Sequence, residues 1–320
     1  MHEPCLAFVH IPKTAGTSFN AWLIDQYAPS NFKIGIWGGV VRTIDELLQL
    51  APQEKAKLRC IHGHMPHGAD GVMPNPVQYC TVMRDPVERV ISLFRHKERK
   101  QQIPRGMSLL DFAGSDEFEV ENGMTKRICG RHSLQGGSVV DLNGQRAPGP
   151  CQSSEADLAL GRIRCGEYLV GIQEDFRRSL LLVANLMGLQ APVGVGVQNH
   201  DPSRRPDWSA DAIEVIRARN VHDFELYEAG KENLQSRCQA RGPEFADQLE
   251  ALTLIDGIFS AHGAGCTEPS VRPQLLAKVE QLAETGKGPL AVTLVRLMAS
   301  KFGEPYLSTL RQEECAPFPG

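Results

Sequence analysis

The run Phe8-Val9-His10-Ile11-Pro12-Lys13-Thr14-Ala15-Gly16-Thr17-Ser18-Phe19 constrains this chain more than any other stretch. An apolar strand that ends in lysine, glycine and hydroxyl residues, then enters an apolar helix, is suited to holding a phosphate-like anion. Backbone N–H groups at a helix start point at such an anion, and the helix dipole favours its charge. Gly16 lets the backbone approach closely because it has no Cβ. Thr17 and Ser18 add hydroxyl donors, and Lys13 adds a positive charge. The order is not that of a Walker A loop, in which the lysine follows the glycines. Here Lys13 precedes Gly16 and comes from the strand side. The ordinary structural alternative is a lysine at a strand end followed by a Thr/Ser helix cap.

Two further stretches carry chemistry. Arg59-Cys60-Ile61-His62-Gly63-His64-Met65 sets two histidines around a glycine at a strand end. Strand positions two apart share a face, so both rings are expected to line one pocket. An imidazole suits proton abstraction from a hydroxyl. The alternatives are a metal pair or two exposed loop histidines; His67 is nearby, but no Cys or carboxylate set completes a zinc site. The third stretch predicts a buried strand over Val77–Met83 and then a helix, with Asp85 as its cap and Pro86 in its first turn. Val87, Val90, Ile91 and Phe94 recur at helical spacing as its buried face. Arg84 at the strand end and Ser92 two turns into the helix are expected to converge on a second anion. An ion pair of Arg84 with Asp85 or Glu88 is the plainer account. Residues 84–105 hold seven Lys/Arg against three Asp/Glu, although the chain carries a formal net charge of −4. That asymmetry favours an anionic ligand or acceptor.

In this order, strand–PKTAGTS, HGH and strand–RDPVERVISLF resemble the PAPS-dependent carbohydrate sulfotransferases, especially the heparan sulfate and uronyl 2-O-sulfotransferase group (PAPS is 3′-phosphoadenylyl sulfate). The resemblance covers roughly residues 5–230. It implies a P-loop-like, three-layer α/β fold with a central parallel sheet. It implies that Lys13, Thr14, Ala15, Gly16, Thr17 and Ser18 hold the 5′-phosphosulfate of PAPS, and that Arg84 and Ser92 hold the 3′-phosphate. His64 is then the catalytic base, with His62 in support, and Lys13 stabilises the leaving phosphate. A basic loop that closes over the cofactor in the family makes Ser203, Arg204 and Arg205 further candidates, against a plain Pro-bounded surface turn. The stretch Asn122-Gly123-Met124-Thr125-Lys126-Arg127 is also family-like, facing cofactor or acceptor. The physical requirements agree with the resemblance: sulfuryl transfer needs in-line positioning, cations on the leaving phosphate and a base for the hydroxyl proton, with no obligatory metal.

Two domains are expected: a PAPS-binding domain over 1–234 and a small helical appendage over 235–320. In the first, Tyr168–Ile172 reads as another strand, and Phe176, Leu180, Val183, Ala184 and Met187 as the apolar stripe of a following helix. In the second, 244–259, 274–285 and 290–302 read as amphipathic helices that pack on the core, bind a partner or form a homo-oligomer. Residues 134–154 form a glycine- and proline-rich loop on the acceptor side. Apolar content of 42% and charged content of 22% are those of an ordinary globular protein. No apolar run is long enough to span a membrane, and Met1 leads at once into the first strand, so a cytoplasmic enzyme is expected, with a trimmed chain as the alternative. The nine scattered cysteines include no C-x-x-C and are expected to be reduced. The function expected is O-sulfation of an acceptor hydroxyl on an oligo- or polysaccharide, with no nucleic-acid partner. A P-loop small-molecule kinase and a non-catalytic nucleotide-binding module are the alternatives. The lysine order argues against the first, and the presence together of Lys13, His64, Arg84 and Ser92 against the second.

Overall fold

Five of the short runs pair side by side into one sheet in the computed structural model. It describes residues 4–28, 30–34, 43–133, 139–140, 149–195, 208–262 and 267–302. The strands are β1 (Cys5–Val9), β2 (Asn31–Ile34), β3 (Cys60–Gly63), β4 (Val77–Met83) and β7 (Tyr168–Ile172), in the spatial order β2-β3-β1-β4-β7. Every neighbouring pair is parallel. Two short strands, β5 (His132–Ser133) and β6 (Val139–Val140), form a separate antiparallel pair. The helices are α1 (Gly16–Tyr27), α2 (Ile44–Gln49), α3 (Pro52–Lys55), α4 (Pro86–Arg99), α5 (Leu109–Gly114), α6 (Gly123–Cys129) and α7 (Ser153–Arg164). They continue with α8 (Phe176–Met187), α9 (Ala210–Arg219), α10 (Val221–Ala240), α11 (Pro243–Ala261), α12 (Glu268–Glu284) and α13 (Gly288–Phe302).

The strands are near-continuous apolar runs because both faces of the sheet are covered. On one face Phe8 stacks on Phe19 of α1 at 4.3 Å between ring centroids, and Phe19 meets Trp22 edge-on. The register sets Phe8 beside Cys80, so Met83, three residues on, points the other way. That second face receives α10. Gly230 comes so close that a Cβ there would lie 2.8 Å from Met83 Sδ and 3.1 Å from Val170. Helix α4 starts as its sequence requires: Asp85 accepts from the Glu88 N–H at 3.0 Å and Pro86 occupies the first turn. Its apolar stripe, Val87, Val90, Ile91 and Phe94, is buried with Leu109 and Phe112 of α5 and Ala212 and Ile216 of α9.

By their internal contacts the residues form two units. The first is Met1–Phe176 with Gln198–Gln235, and the second is Arg177–Val197 with Ser236–Gly320. In the second unit, α11, α12 and α13 bury Leu252, Ile255, Leu275, Leu294 and Val295 among others. Polar ties hold α8 to α11: Arg177 Nε donates to Asp256 at 2.8 Å and Asn185 Nδ2 to Gln248 at 2.9 Å. These ties are why α8 groups with the C-terminal helices. Among the described residues no helix is long and apolar enough to cross a membrane.

Because all five strands are parallel, their C-terminal ends lie along one edge. β1 sits between β3 and β4, and the chain leaves it to one side and returns on the other. In open parallel sheets the ligand crevice lies at such a reversal. The loops carrying Lys13, His64 and Arg84 therefore leave three adjacent strands at the same edge.

Candidate active site

The β1–α1 loop is held in an unusual backbone form. Lys13 has φ 70° and Ala15 φ 64°, both in the left-handed region that non-glycine residues avoid. Such conformations cost on the order of 1–3 kcal/mol each, and alternate with right-handed residues in anion-binding loops. The Thr/Ser cap of the ordinary alternative does not form. Ala15 is the cap residue and no side chain caps α1. Thr14 instead turns its hydroxyl back to donate to the Ile11 carbonyl at 2.8 Å. Ser18 is buried and Thr17 exposed. The start of α1 is thus not closed by a side-chain cap.

Cations crowd this loop. Burial first, then the Arg99 and Arg84 guanidinium groups, bring the Lys13 ammonium down to about 8. His96, in the last turn of α4, is held at about 4 by burial and then by Lys13 and Arg99. Arg84 joins the third motif to the first, donating to the Lys13 carbonyl at 3.3 Å across 71 residues of sequence. It is also paired with Glu88 at 3.4 Å, so the plainer account of Arg84 holds as well. Ser92 lies half-buried on the same helix. An uncapped helix start beside Lys13, Arg84, His96 and Arg99 is a donor set that fits a molecule with phosphates at both ribose ends. His96 and Arg99 were not singled out in the sequence. The basic last turn of α4 was the signal that pointed to them.

Both motif histidines lie toward His10 and α1, His62 through Asn20 and His64 by stacking on the His10 ring. Gly63 has φ 127° and ends β3, so His64 lies just beyond the strand. His62 is fully buried, and its Nδ1 lies 2.8 Å from Asn20 Oδ1. His64 is partly exposed and stacks on His10, with centroids 4.3 Å apart and planes 20° apart. Burial, then Arg127, lowers His64 to about 4, while Glu119 and a backbone hydrogen bond at His10 oppose the shift. His62 is lowered to about 4 by burial and by Lys33. His10 falls well below the ordinary imidazole range through burial, then His64, Arg127, His62 and Lys13. His10 thus stands within electrostatic reach of both the loop lysine and His64. The imidazoles are neutral at pH 7, the state in which one can accept a proton.

His10 and Asn20 were not recognised from the sequence. In the sequence His10 is only part of the strand end that opens the first motif. His10 also explains Gly16: a Cβ at that position would overlap the His10 ring. His67 stands apart from the other histidines. Its ring stacks on Tyr79 at 4.2 Å and bonds the Tyr168 hydroxyl at 3.0 Å. Among the described residues no group of His, Cys, Asp and Glu could hold a metal ion.

The 122–127 stretch is tied into a buried ionic network beneath the site. Arg89 pairs with Glu119 at 3.2 Å and with Asp223 at 3.4 Å, and Arg127 with Glu119. Asp223 accepts from the Met124 and Thr125 N–H groups at 3.1 and 2.8 Å, closing the N-terminus of α6. Arg127 and Glu119 are the same groups that act on His64. Ser203, Arg204 and Arg205 lie outside the described residues, as does most of the 134–154 loop.

None of the curated proteins searched matches the chain. The model of a family described as the sulfotransferase family matches residues 2–131, a span that contains all three motifs and ends before β7. Residues 2–131 of this chain are thus similar to the sulfotransferase family, whose members are PAPS-dependent sulfuryl-transfer enzymes.

Proposed function

We propose that the chain transfers a sulfuryl group from PAPS to a hydroxyl of a carbohydrate acceptor. The observation that supports this reading is the meeting of the Lys13 loop, His64 and Arg84 at the ends of β1, β3 and β4, with cations gathered on the loop. When bound, PAPS supplies the sulfuryl group and a leaving phosphate whose charge needs neutralising. Lys13, the N–H groups of Thr14, Ala15, Gly16 and Thr17, and the Thr17 and Ser18 hydroxyls bind the 5′ side. Arg84 and Ser92 bind the 3′-phosphate, with Ser203, Arg204 and Arg205 as further candidates. His64 accepts the acceptor's hydroxyl proton on an imidazole nitrogen. His62, buried and bonded to Asn20, supports it from below. The positive field of α4 suits an acidic sugar.

The test is transfer of labelled sulfate from PAPS to a panel of acidic and neutral oligosaccharides, alongside binding of adenosine 3′,5′-bisphosphate without Mg²⁺. Metal-independent binding and label on a sugar hydroxyl are expected. Label on a small-molecule or protein acceptor alone overturns the carbohydrate assignment. Binding that requires Mg²⁺ and favours ATP overturns sulfuryl transfer in favour of a kinase.

A further inference from the structure

Three buried polar groups stand behind His64, and a role as proton acceptor for that residue does not by itself explain them. Asn20, on the first turns of α1, is 7% exposed; His10, at the end of β1, is 7% exposed; His62 is fully buried. One end of the Asn20 amide, Nδ2, lies 3.0 Å from His10 Nδ1, and the other, Oδ1, lies 2.8 Å from His62 Nδ1. An amide has one donating and one accepting end. Of the two rings, then, one must accept and the other donate. Turning the amide over exchanges the two tautomers but never makes them alike. In the orientation seen, His10 carries its proton on Nε2 and His62 on Nδ1.

This arrangement directs a proton to one place. Protonating His10 at Nδ1 would set two donors against each other. Protonating His62 at Nε2 would place charge on a buried nitrogen with no hydrogen-bond partner among the described residues. His64 is the one partly exposed ring of the three; its Nδ1 is also buried without a hydrogen-bond partner among the described residues, which leaves its Nε2 as the nitrogen to take the proton. The groups facing the stack are Arg127, Glu119 and Lys33 toward His64, Lys33 toward His62, and Arg127 and Lys13 toward His10.

We propose that Asn20 and His10 are positioning residues for the transfer: the Asn20 amide locks His10 and His62 as opposite neutral tautomers, and the His10 ring so held is the platform on which His64 is oriented. The inference rests on His64 being the base. Nitrogen-15 NMR of the imidazoles in the ligand-free protein at pH 7.5 reads the lock without reference to activity. Wild type should show one Nδ1–H and one Nε2–H ring for His10 and His62. Asn20→Asp, which can only accept, should turn both into Nδ1–H rings. Asn20→Leu, close in size and without hydrogen bonds, should lower turnover roughly 10- to 100-fold, with melting temperature and KM for PAPS little changed.

Two rings of the same tautomer in wild type, or no change in Asn20→Asp, would overturn the lock. Normal turnover in Asn20→Leu, beside a His64→Ala variant that is inactive, would overturn the positioning role and leave the base assignment standing. A His64→Ala variant that keeps turnover would remove both.

Discussion

Adenosine 3′,5′-bisphosphate should bind this protein together with a proton, and Lys13 should be where the proton goes. Burial and the neighbouring Arg99 and Arg84 hold the free Lys13 ammonium at about 8. A phosphate seated on the β1–α1 loop supplies the negative charge that this cluster lacks and returns Lys13 toward the ordinary lysine value near 10.4. A group at about 8 is about nine-tenths protonated at pH 7, half protonated at pH 8 and one-tenth protonated at pH 9. Binding should therefore take up about 0.1 proton at pH 7, about 0.5 at pH 8 and about 0.9 at pH 9. The ligand prefers the protonated form, so affinity is flat well below pH 8. Above that it falls by about tenfold per pH unit until the pKa of the bound state is reached. Calorimetric titration in buffers of different ionisation enthalpy measures the uptake directly. The Lys13→Met variant should bind more weakly at pH 7 and lose the uptake at pH 9. Zero uptake at pH 9 in wild type, or an equal uptake in Lys13→Met, would refute the argument that Lys13 is the loop cation.

Arg84→Ala should weaken the bisphosphate by about 1.5–3 kcal/mol, the scale of a charge-assisted hydrogen bond, while the analogue without the 3′-phosphate binds both forms alike. Calorimetry that shows equal losses for the two nucleotides would move the 3′-phosphate elsewhere. His64→Ala should reduce turnover by about 10²–10⁴-fold. Because His64 must be neutral to accept a proton and its ring is held at about 4, the rise of kcat/KM with pH should be centred near 4 rather than at the ordinary imidazole value. A profile with its acidic limb unmoved in the variant would assign that limb to another group. Asp223→Ala strips a partner from Arg89 and from the N-terminus of α6; removing one member of a buried ionic set costs about 3–5 kcal/mol, which denaturant melts would register.

Much of the sheet was legible because a buried parallel strand has a local signature. Val77–Met83 and Tyr168–Ile172 are apolar runs bounded by turns, and the structure has strands with those bounds. Asp85 and Pro86 announced α4 by chemistry confined to its first turn. The three motifs were legible for the same reason, each lying in one unbroken stretch at a strand end. What lay beyond reach was chemistry assembled from distant residues. Asn20 and His62 are 42 positions apart, and Arg89 and Asp223 are 134 apart; no spacing rule links them until the fold brings them together. The HGH pair is a further case of such assembly. Strand alternation predicted a shared face for His62 and His64, but the His10–Asn20 pair that both rings approach was not visible in it. The grouping of α8 was hidden for a similar reason, because it depends on partners in α11.

The contact between Gly16 and the His10 ring makes these two positions trade volume. As long as position 10 carries an imidazole, position 16 is confined to glycine, and the anion loop inherits that glycine from a ring outside it. A chain that gives up the imidazole regains room for alanine or serine at 16, so Gly16→Ala should be rescued in folding by a second change, His10→Ala, six residues away. Sequences descended from a common ancestor with this one should therefore change the pair in step, and a lineage in which His10 has drifted to a small residue is where a bulkier loop can first appear.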